Sequence, residues 1–132
     1  MATGDRTEKR LVGPLQLANV SAALGSSITS TYTWVIKQVI LCNTSGTDRL
    51  VYLSIGNDTT DACSTASSPA SQAAPSNRFV IALPVAAYDT VVLDTALVLV
   101  GSATAGAADR LWGYADSASA VTVTVVGWQK TN

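Results

Sequence analysis

TWVIKQVILCNTSGTDRLVYLSIG, residues 33–56, joins two apolar, β-branched segments through a polar turn. Valine, isoleucine and aromatic residues favour strands, whereas the Asn, Ser, Gly and Asp of residues 43–48 favour a tight reversal of the chain. The pattern predicts a long β-hairpin with strands at 34–42 and 49–55. The rest of the chain repeats this alternation of apolar runs and polar turns.

The first strand of this predicted hairpin is apolar on both faces. Alternate residues of a strand point to opposite sides, so Trp34 and Ile36 share one face while Val35, Val39 and Leu41 share the other. An antiparallel sheet with one face in water would alternate apolar and polar residues instead. We therefore expect protein against both faces, and the second cover is either another sheet or another subunit.

Further short apolar runs predict an all-β protein without a helix of useful length. The count gives about eight strands at the spacing typical of a β-sandwich, and eight strands in two sheets is the jelly-roll number. The predicted fold is therefore an eight-stranded antiparallel β-sandwich, jelly-roll-like, with an extended N-terminal arm. In the last predicted hairpin, segments 110–115 and 120–128 flank a turn at 116–119.

The predicted domain organisation has two parts. Residues 1–18 form an N-terminal arm and edge strand, because Gly13 and Pro14 interrupt the apolar run 11–17 and proline lacks the donor that a central strand needs. Residues 19–132 form one sandwich domain that contains a long Ser-, Thr- and Ala-rich loop at 57–77. Loops of that length usually carry a function or are held by a partner.

The composition points to shared surfaces. Of the 132 residues, 48% are apolar and only 13% are charged, which is a low fraction of charged residues for the surface of a single domain. The net charge of −1 argues against a nucleic-acid partner. The basic residues Arg6, Lys9 and Arg10 do not form a purely positive cluster, because acidic residues are interspersed with them. No secretory signal opens the chain and no apolar run could cross a bilayer, so we expect cytoplasmic synthesis and no membrane association.

The sequence offers little for catalysis or metal binding. It contains no histidine, which excludes Ser-His and Cys-His nucleophile systems. Without histidine, the two cysteines of the chain are too few for an ordinary zinc site. Asp58 and Asp61 favour turn capping over calcium binding, because they lack the dense acidic spacing of a calcium loop. Cys42 and Cys63 are expected as free thiols, and a disulfide between them is the alternative. We predict no catalytic residue, no cofactor and no metal.

Trp112 and Tyr114 lie on the same face of a predicted strand, and two neighbouring aromatic rings there could stack on a sugar. They define the alternative hypothesis of a carbohydrate- or receptor-binding module. Aromatic side chains in a small sandwich are more often core or interface anchors, which favours the structural interpretation.

Several segments together resemble small virion proteins of tailed bacteriophages. The resemblance rests on a leading Leu-x-Gly-Pro, on strand ends with Ile-Leu-Cys-Asn-Thr-Ser-Gly and Leu-Ser-Ile-Gly, and on a late Leu-Val-Leu-x-Gly before a closing Val-Thr-Val-Thr-Val-x-Gly. It covers residues 11–128, and the insertion at 58–77 departs from the tighter layout of such proteins.

The resemblance implies a β-sandwich that forms an oligomer, often a homotrimer, and binds the major capsid protein or a tail component. A capsid decoration (cementing) protein in the virion is the leading hypothesis, and a tail or head-to-tail accessory protein is the alternative. Under this hypothesis the subunit contacts are Val35, Val39, Leu41 and Tyr52. The anchoring arm comprises Leu11, Val12, Pro14, Leu15 and Leu17.

Overall fold

A computed structural model describes residues 6–20, 22–57, 78–104 and 107–132, and these residues form eight β-strands and no helix. The strands are β1 (Arg6–Gln16), β2 (Ala22–Ala23), β3 (Tyr32–Asn43), β4 (Arg49–Asn57), β5 (Arg78–Val85), β6 (Thr90–Val100), β7 (Asp109–Ala115) and β8 (Val121–Thr131). The predicted loop 57–77 lies outside the described residues apart from Asn57, which ends β4.

The strands form two antiparallel sheets of four. Sheet A has the order β1-β8-β3-β6 and sheet B has the order β2-β7-β4-β5. The neighbours β1/β8, β2/β7, β3/β6 and β4/β5 are the pairs that one long hairpin would make, and successive pairs lie alternately in sheets A and B. This is the connectivity of a jelly roll, so the predicted eight-stranded β-sandwich is confirmed.

The two predicted hairpins are wrong in their pairing. β3 belongs to sheet A and β4 to sheet B, so residues 44–48 carry the chain from one sheet to the other. The same holds for β7 and β8 at the end of the chain. A polar turn signals that the chain reverses, but it does not specify whether the returning strand joins the same sheet or the facing one.

A β-bulge in β3 explains why this strand looked apolar on both faces. Against β8, Ile36 pairs with Gly127 and Gln38 with Val126, which leaves Lys37 as an extra residue. An extra residue reverses the side-chain alternation beyond it. Even-numbered residues such as Ile36 therefore point into the core before the bulge, and odd-numbered ones such as Leu41 do so after it; both are fully buried.

β1 lies at the edge of sheet A, where the sequence predicted an edge strand, but it extends back to Arg6 and pairs with β8. Among the predicted anchoring residues, Pro14 and Leu15 are exposed. The other three are buried in the chain's own core and cannot reach a neighbour with their side chains; they are Leu11, Val12 and Leu17.

β5 contains a second local departure from the predicted alternation. Ala82 has a φ of 51°, and the register with β4 shifts between the pairs Val51–Leu83 and Leu53–Val80. As a result Ile81 is 55% exposed, whereas Leu83 and Phe79 pack against the core. The strict alternation of the sequence here would place residues 79, 81 and 83 on one face, and the register shift prevents that arrangement.

Gly127 of β8 lies opposite Ile36, directly before the bulge in β3. A Cβ at this position would clash with the backbone oxygen of Val35 and would lie 3.0 Å from the Cα of Ile36. Because those are backbone atoms of a central strand, we expect Gly127→Ala to lower the free energy of unfolding by roughly 1–3 kcal/mol.

Urea denaturation of the purified protein measures this effect. Gly46→Ala is the matched control, since the atoms nearest to its Cβ would belong to the exposed Tyr88 side chain, with the hydroxyl oxygen at 3.1 Å. Equal stability of Gly127→Ala and the wild type would contradict the close approach of β8 to β3.

Candidate functional site

The candidate site is the outer surface of sheet A, the side that points away from sheet B. We call it the sheet A face and define it by the outward residues of β6, β3 and β8: Val92, Asp94, Val98, Val100, Val35, Gln38, Ile40, Thr124, Val126 and Trp128. Three of its valines belong to the edge strand β6 and remain about half exposed: Val92 at 49%, Val98 at 54% and Val100 at 48%. The face therefore presents apolar surface to the outside of the sandwich.

Strand register arranges these side chains in rows across the sheet. One row runs from Val98 through Val35 to Trp128, and another from Val92 through Ile40 to Thr124. Side chains directly opposite one another on neighbouring strands are close enough to touch. Each row therefore crosses three strands and reaches the open edge of β6.

Charged side chains surround Trp128 at the β1 side of the face. The Arg6 guanidinium carbon and the Lys37 ammonium nitrogen each lie 4.8 Å from the centroid of the Trp128 ring. Lys37 Nζ also lies 3.4 Å from Glu8 Oε1. Cations over an indole ring are attracted by its electron-rich face, so this end of the face has a mixed polar and aromatic character.

A groove of about 650 Å³ crosses the middle of the face at the bulge. Its lining combines both signs of charge with polar and small residues, including Glu8, Lys9, Lys37 and Asp94. Within it, Gln38 Nε2 donates a 3.0 Å hydrogen bond to Asp94 Oδ1. The groove separates the two apolar rows and gives the face a polar centre.

Glu8 provides a pH-dependent contact on this face. A hydrogen bond from the Trp128 side chain, followed by the hydrogen bond and charge of Lys37, lowers the pKa of Glu8 below its ordinary value. A lowered pKa means that the contact is fully present above the ordinary glutamate pKa and is lost as the pH falls through the lowered one. Acidification should therefore release Lys37 and Trp128 together.

An NMR titration of the Trp128 indole N–H checks this expectation. The chemical-shift transition should have a midpoint below the ordinary pKa of glutamate and should disappear in Glu8→Gln. A midpoint at or above the ordinary value would contradict the hydrogen-bonded carboxylate, whose side chain is otherwise largely in solvent.

The structure corrects most of the predicted subunit contacts. Val39 and Leu41 have no exposed surface and Tyr52 retains 4%, so these side chains are enclosed by the chain itself. The bulge at Lys37 turns Val39 and Leu41 inward. Val35, which precedes the bulge, is the predicted contact residue that lies on the sheet A face, where it is half-buried.

The predicted glycan platform is also corrected. Tyr114 pairs across the sheet with Tyr52, and their rings stack with centroids 4.6 Å apart and an angle of 12° between planes. Tyr114 is only 1% exposed, so its ring cannot serve as a stacking surface for a sugar. Trp112 is half-buried, and its indole N–H donates a 2.9 Å hydrogen bond to the Asn57 carbonyl oxygen.

The described residues contain no group of three or more acidic, cysteine or histidine side chains that could hold a metal ion. Cys42 is a free, half-buried thiol on β3, while Cys63, Asp58 and Asp61 lie outside the described residues. Within the same part of the chain, no helix could span a bilayer.

Sequence reasoning missed the exposed valines of β6, because the apolar residues of 90–100 occur at both parities and form two short runs on either side of Asp94 and Thr95. The missing information was that β6 is one strand at a sheet edge, which only the connectivity reveals.

Comparisons with protein-family models, with curated proteins and with solved structures found no match to this chain.

Proposed function

We propose that this chain is a structural virion protein of a tailed bacteriophage, and specifically a capsid decoration protein that forms an oligomer on the head shell and stabilises it. The observation that carries the proposal is the apolar sheet A face, which reaches the edge strand through the half-exposed Val92 and Val98. Jelly rolls are a recurrent architecture of viral capsid proteins. The strand and turn pattern over residues 11–128 supports the same class of protein.

Such a protein acts by non-covalent association with other proteins and catalyses no reaction. Burying half-exposed valines against another protein removes apolar surface from water, at roughly 25 cal/mol per Å². A partner that binds only the assembled shell shifts the equilibrium toward that shell by mass action. The proposed partners are further copies of the chain, with a homotrimer as the form that the resemblance implies, and the major capsid protein.

The proposal includes synthesis in the host cytoplasm and incorporation into the virion, without enzymatic activity, cofactor, nucleic-acid partner or membrane partner. The low charge of the chain and its lack of histidine support this part. The proposed role requires only surfaces that exclude water and remain in contact for the lifetime of the particle.

Copy number in purified virions tests the proposal. Quantitative mass spectrometry against the major capsid protein should find tens to hundreds of copies per particle, because a decoration protein repeats with the symmetry of the shell. A handful of copies would overturn decoration in favour of the tail or head-to-tail accessory role. Absence of the chain from the particle would overturn a structural virion role altogether.

A further inference from the structure

We propose that β6 binds β6 of a second copy edge to edge and antiparallel, so that two A sheets join into one continuous eight-stranded sheet. The inference goes beyond the proposed function, because it names the surface, the partner strand and the register. A contact of this kind is two-fold symmetric. It forms a dimer or links two larger oligomers, and it is distinct from a contact that closes a trimer.

The four sheet edges of the described structure differ in how they are protected against pairing. Natural proteins protect edges with short strands, prolines, bulges and positively charged side chains. β2 has only two residues, β5 contains Pro84 and the left-handed Ala82, and β1 contains Pro14, two register shifts and several Lys and Arg residues.

β6 lacks these protective features. It has eleven residues, no proline, no Lys or Arg, and Asp94 as its single charge. Its one register shift with β3, opposite Lys37, leaves its own alternation of exposed and half-buried residues intact from Thr90 to Val98. A long, apolar, regular edge is a template for another strand.

The backbone of β6 is oriented so that its even-numbered residues face the open edge. Asp89 accepts a hydrogen bond from the Asn43 N–H and Gly101 donates one to the Tyr32 carbonyl oxygen, so odd-numbered backbone groups point toward β3. The even-numbered Thr90 and Val100 instead donate their N–H groups to carboxylates.

These two carboxylates mark the ends of the open edge. Thr90 N donates to Asp89 Oδ1 over 2.8 Å, and Val100 N donates to Asp109 Oδ2 over 2.9 Å. By alternation, the backbone groups between them that face outward belong to Val92, Asp94, Ala96 and Val98. The available template therefore spans residues 92–98.

One register uses this template fully. Centring the two-fold axis on Thr95 places Val92 opposite Val98 and Asp94 opposite Ala96 of the other copy, and it provides about eight main-chain hydrogen bonds. A register centred on Asp94 would put two carboxylates directly opposite each other, which is destabilising. A register centred on residue 96 would require the Val100 N–H, which Asp109 already binds.

The side chains fit the same register. Val92 and Val98 are 49% and 54% exposed in the single chain, and each would meet the other across the new strand pair. Their rows already continue through Ile40 and Val35 of the same copy, so the joined sheets extend both apolar rows. Asp94 is held by Gln38 and would face the small Ala96.

Charge substitutions test both the contact and its register in the full chain. Val92→Lys combined with Val98→Lys places like charges opposite each other twice, and we expect the dissociation constant of the pair to rise at least about 100-fold. Val92→Glu combined with Val98→Lys places opposite charges together and should restore most of the lost affinity. Ile81→Lys, at an equally exposed position on the β5 edge, is the matched control.

Sedimentation equilibrium gives the dissociation constants, and urea denaturation verifies that each variant folds. The amides of Val92, Ala96 and Val98 in the wild type provide a second readout that needs no variant, since their hydrogen exchange should slow as protein concentration rises. A monomeric wild type, or an oligomer that both charge variants leave unchanged, would overturn the β6 contact. A trimer that these variants do not affect would also overturn the β6 contact. It would not contradict the proposed virion role, which the copy number tests separately.

Discussion

Leu41→Ala is expected to lower the free energy of unfolding by about 2–5 kcal/mol, because it removes a fully buried side chain from between the two sheets. Leu41 has no exposed surface. It lies opposite Val123, which is buried, and opposite Val91, which packs against the core. The cavity left behind adds to the lost transfer free energy, since close-packed neighbours relax only in part.

Urea denaturation of Leu41→Ala measures this loss, and Val92→Ala on the outer surface of the same sheet is the control. Val92 is 49% exposed, so its truncation should change stability far less. The pair also tests the bulge. If Leu41→Ala left stability unchanged but weakened self-association, Leu41 would lie on the outer face, as uninterrupted alternation from Val35 predicts.

Asn43→Ala is expected to lower the free energy of unfolding by at least about 1–3 kcal/mol, because the buried carbonyl oxygen of Val85 loses this hydrogen-bond donor. The Asn43 side chain has no exposed surface at the corner between β3 and β4. Its Nδ2 donates to the carbonyl oxygens of Thr47 and Val85 over 2.8 and 2.9 Å, and its Oδ1 accepts the Ser45 N–H over 2.9 Å.

Loss of these bonds leaves the Val85 carbonyl and the Ser45 N–H without that partner, whereas Thr47 still accepts from the Ser45 hydroxyl. Asn132→Ala is the matched control, because this asparagine also makes side-chain hydrogen bonds but is exposed, and water can replace them. Equal effects of the two substitutions in urea denaturation would contradict the role of Asn43 in holding the corner.

Fold class was predictable from the sequence because each strand carries its own signal. Apolar runs such as Val121, Val123 and Val125 alternate with threonines, and polar turns separate them, so the number and type of elements follow from local chemistry. The pairing of the strands does not follow in the same way. Asn43 stabilises a corner between sheets through bonds to Val85, a residue 42 positions away that no local pattern indicates.

The candidate surface was harder to predict because one extra residue, Lys37, changes which side chains of β3 point outward. Without Lys37 as an extra residue, Val35, Val39 and Leu41 would share a face, and the expectation of a subunit contact would follow. With the bulge, Val39 and Leu41 are buried in the core, and the exposed apolar side chains are instead those of Val92 and Val98 on the edge strand. A bulge depends on the neighbouring strands, so periodicity along one strand cannot locate it.

Native mass spectrometry of the purified wild-type chain at micromolar concentration measures self-association directly. Pairing through β6 predicts species whose masses are even multiples of 13.6 kDa, with the dimer as the smallest. A single species of 13.6 kDa across that concentration range would contradict the account, because the exposed valines of β6 would then remain in water in the free protein.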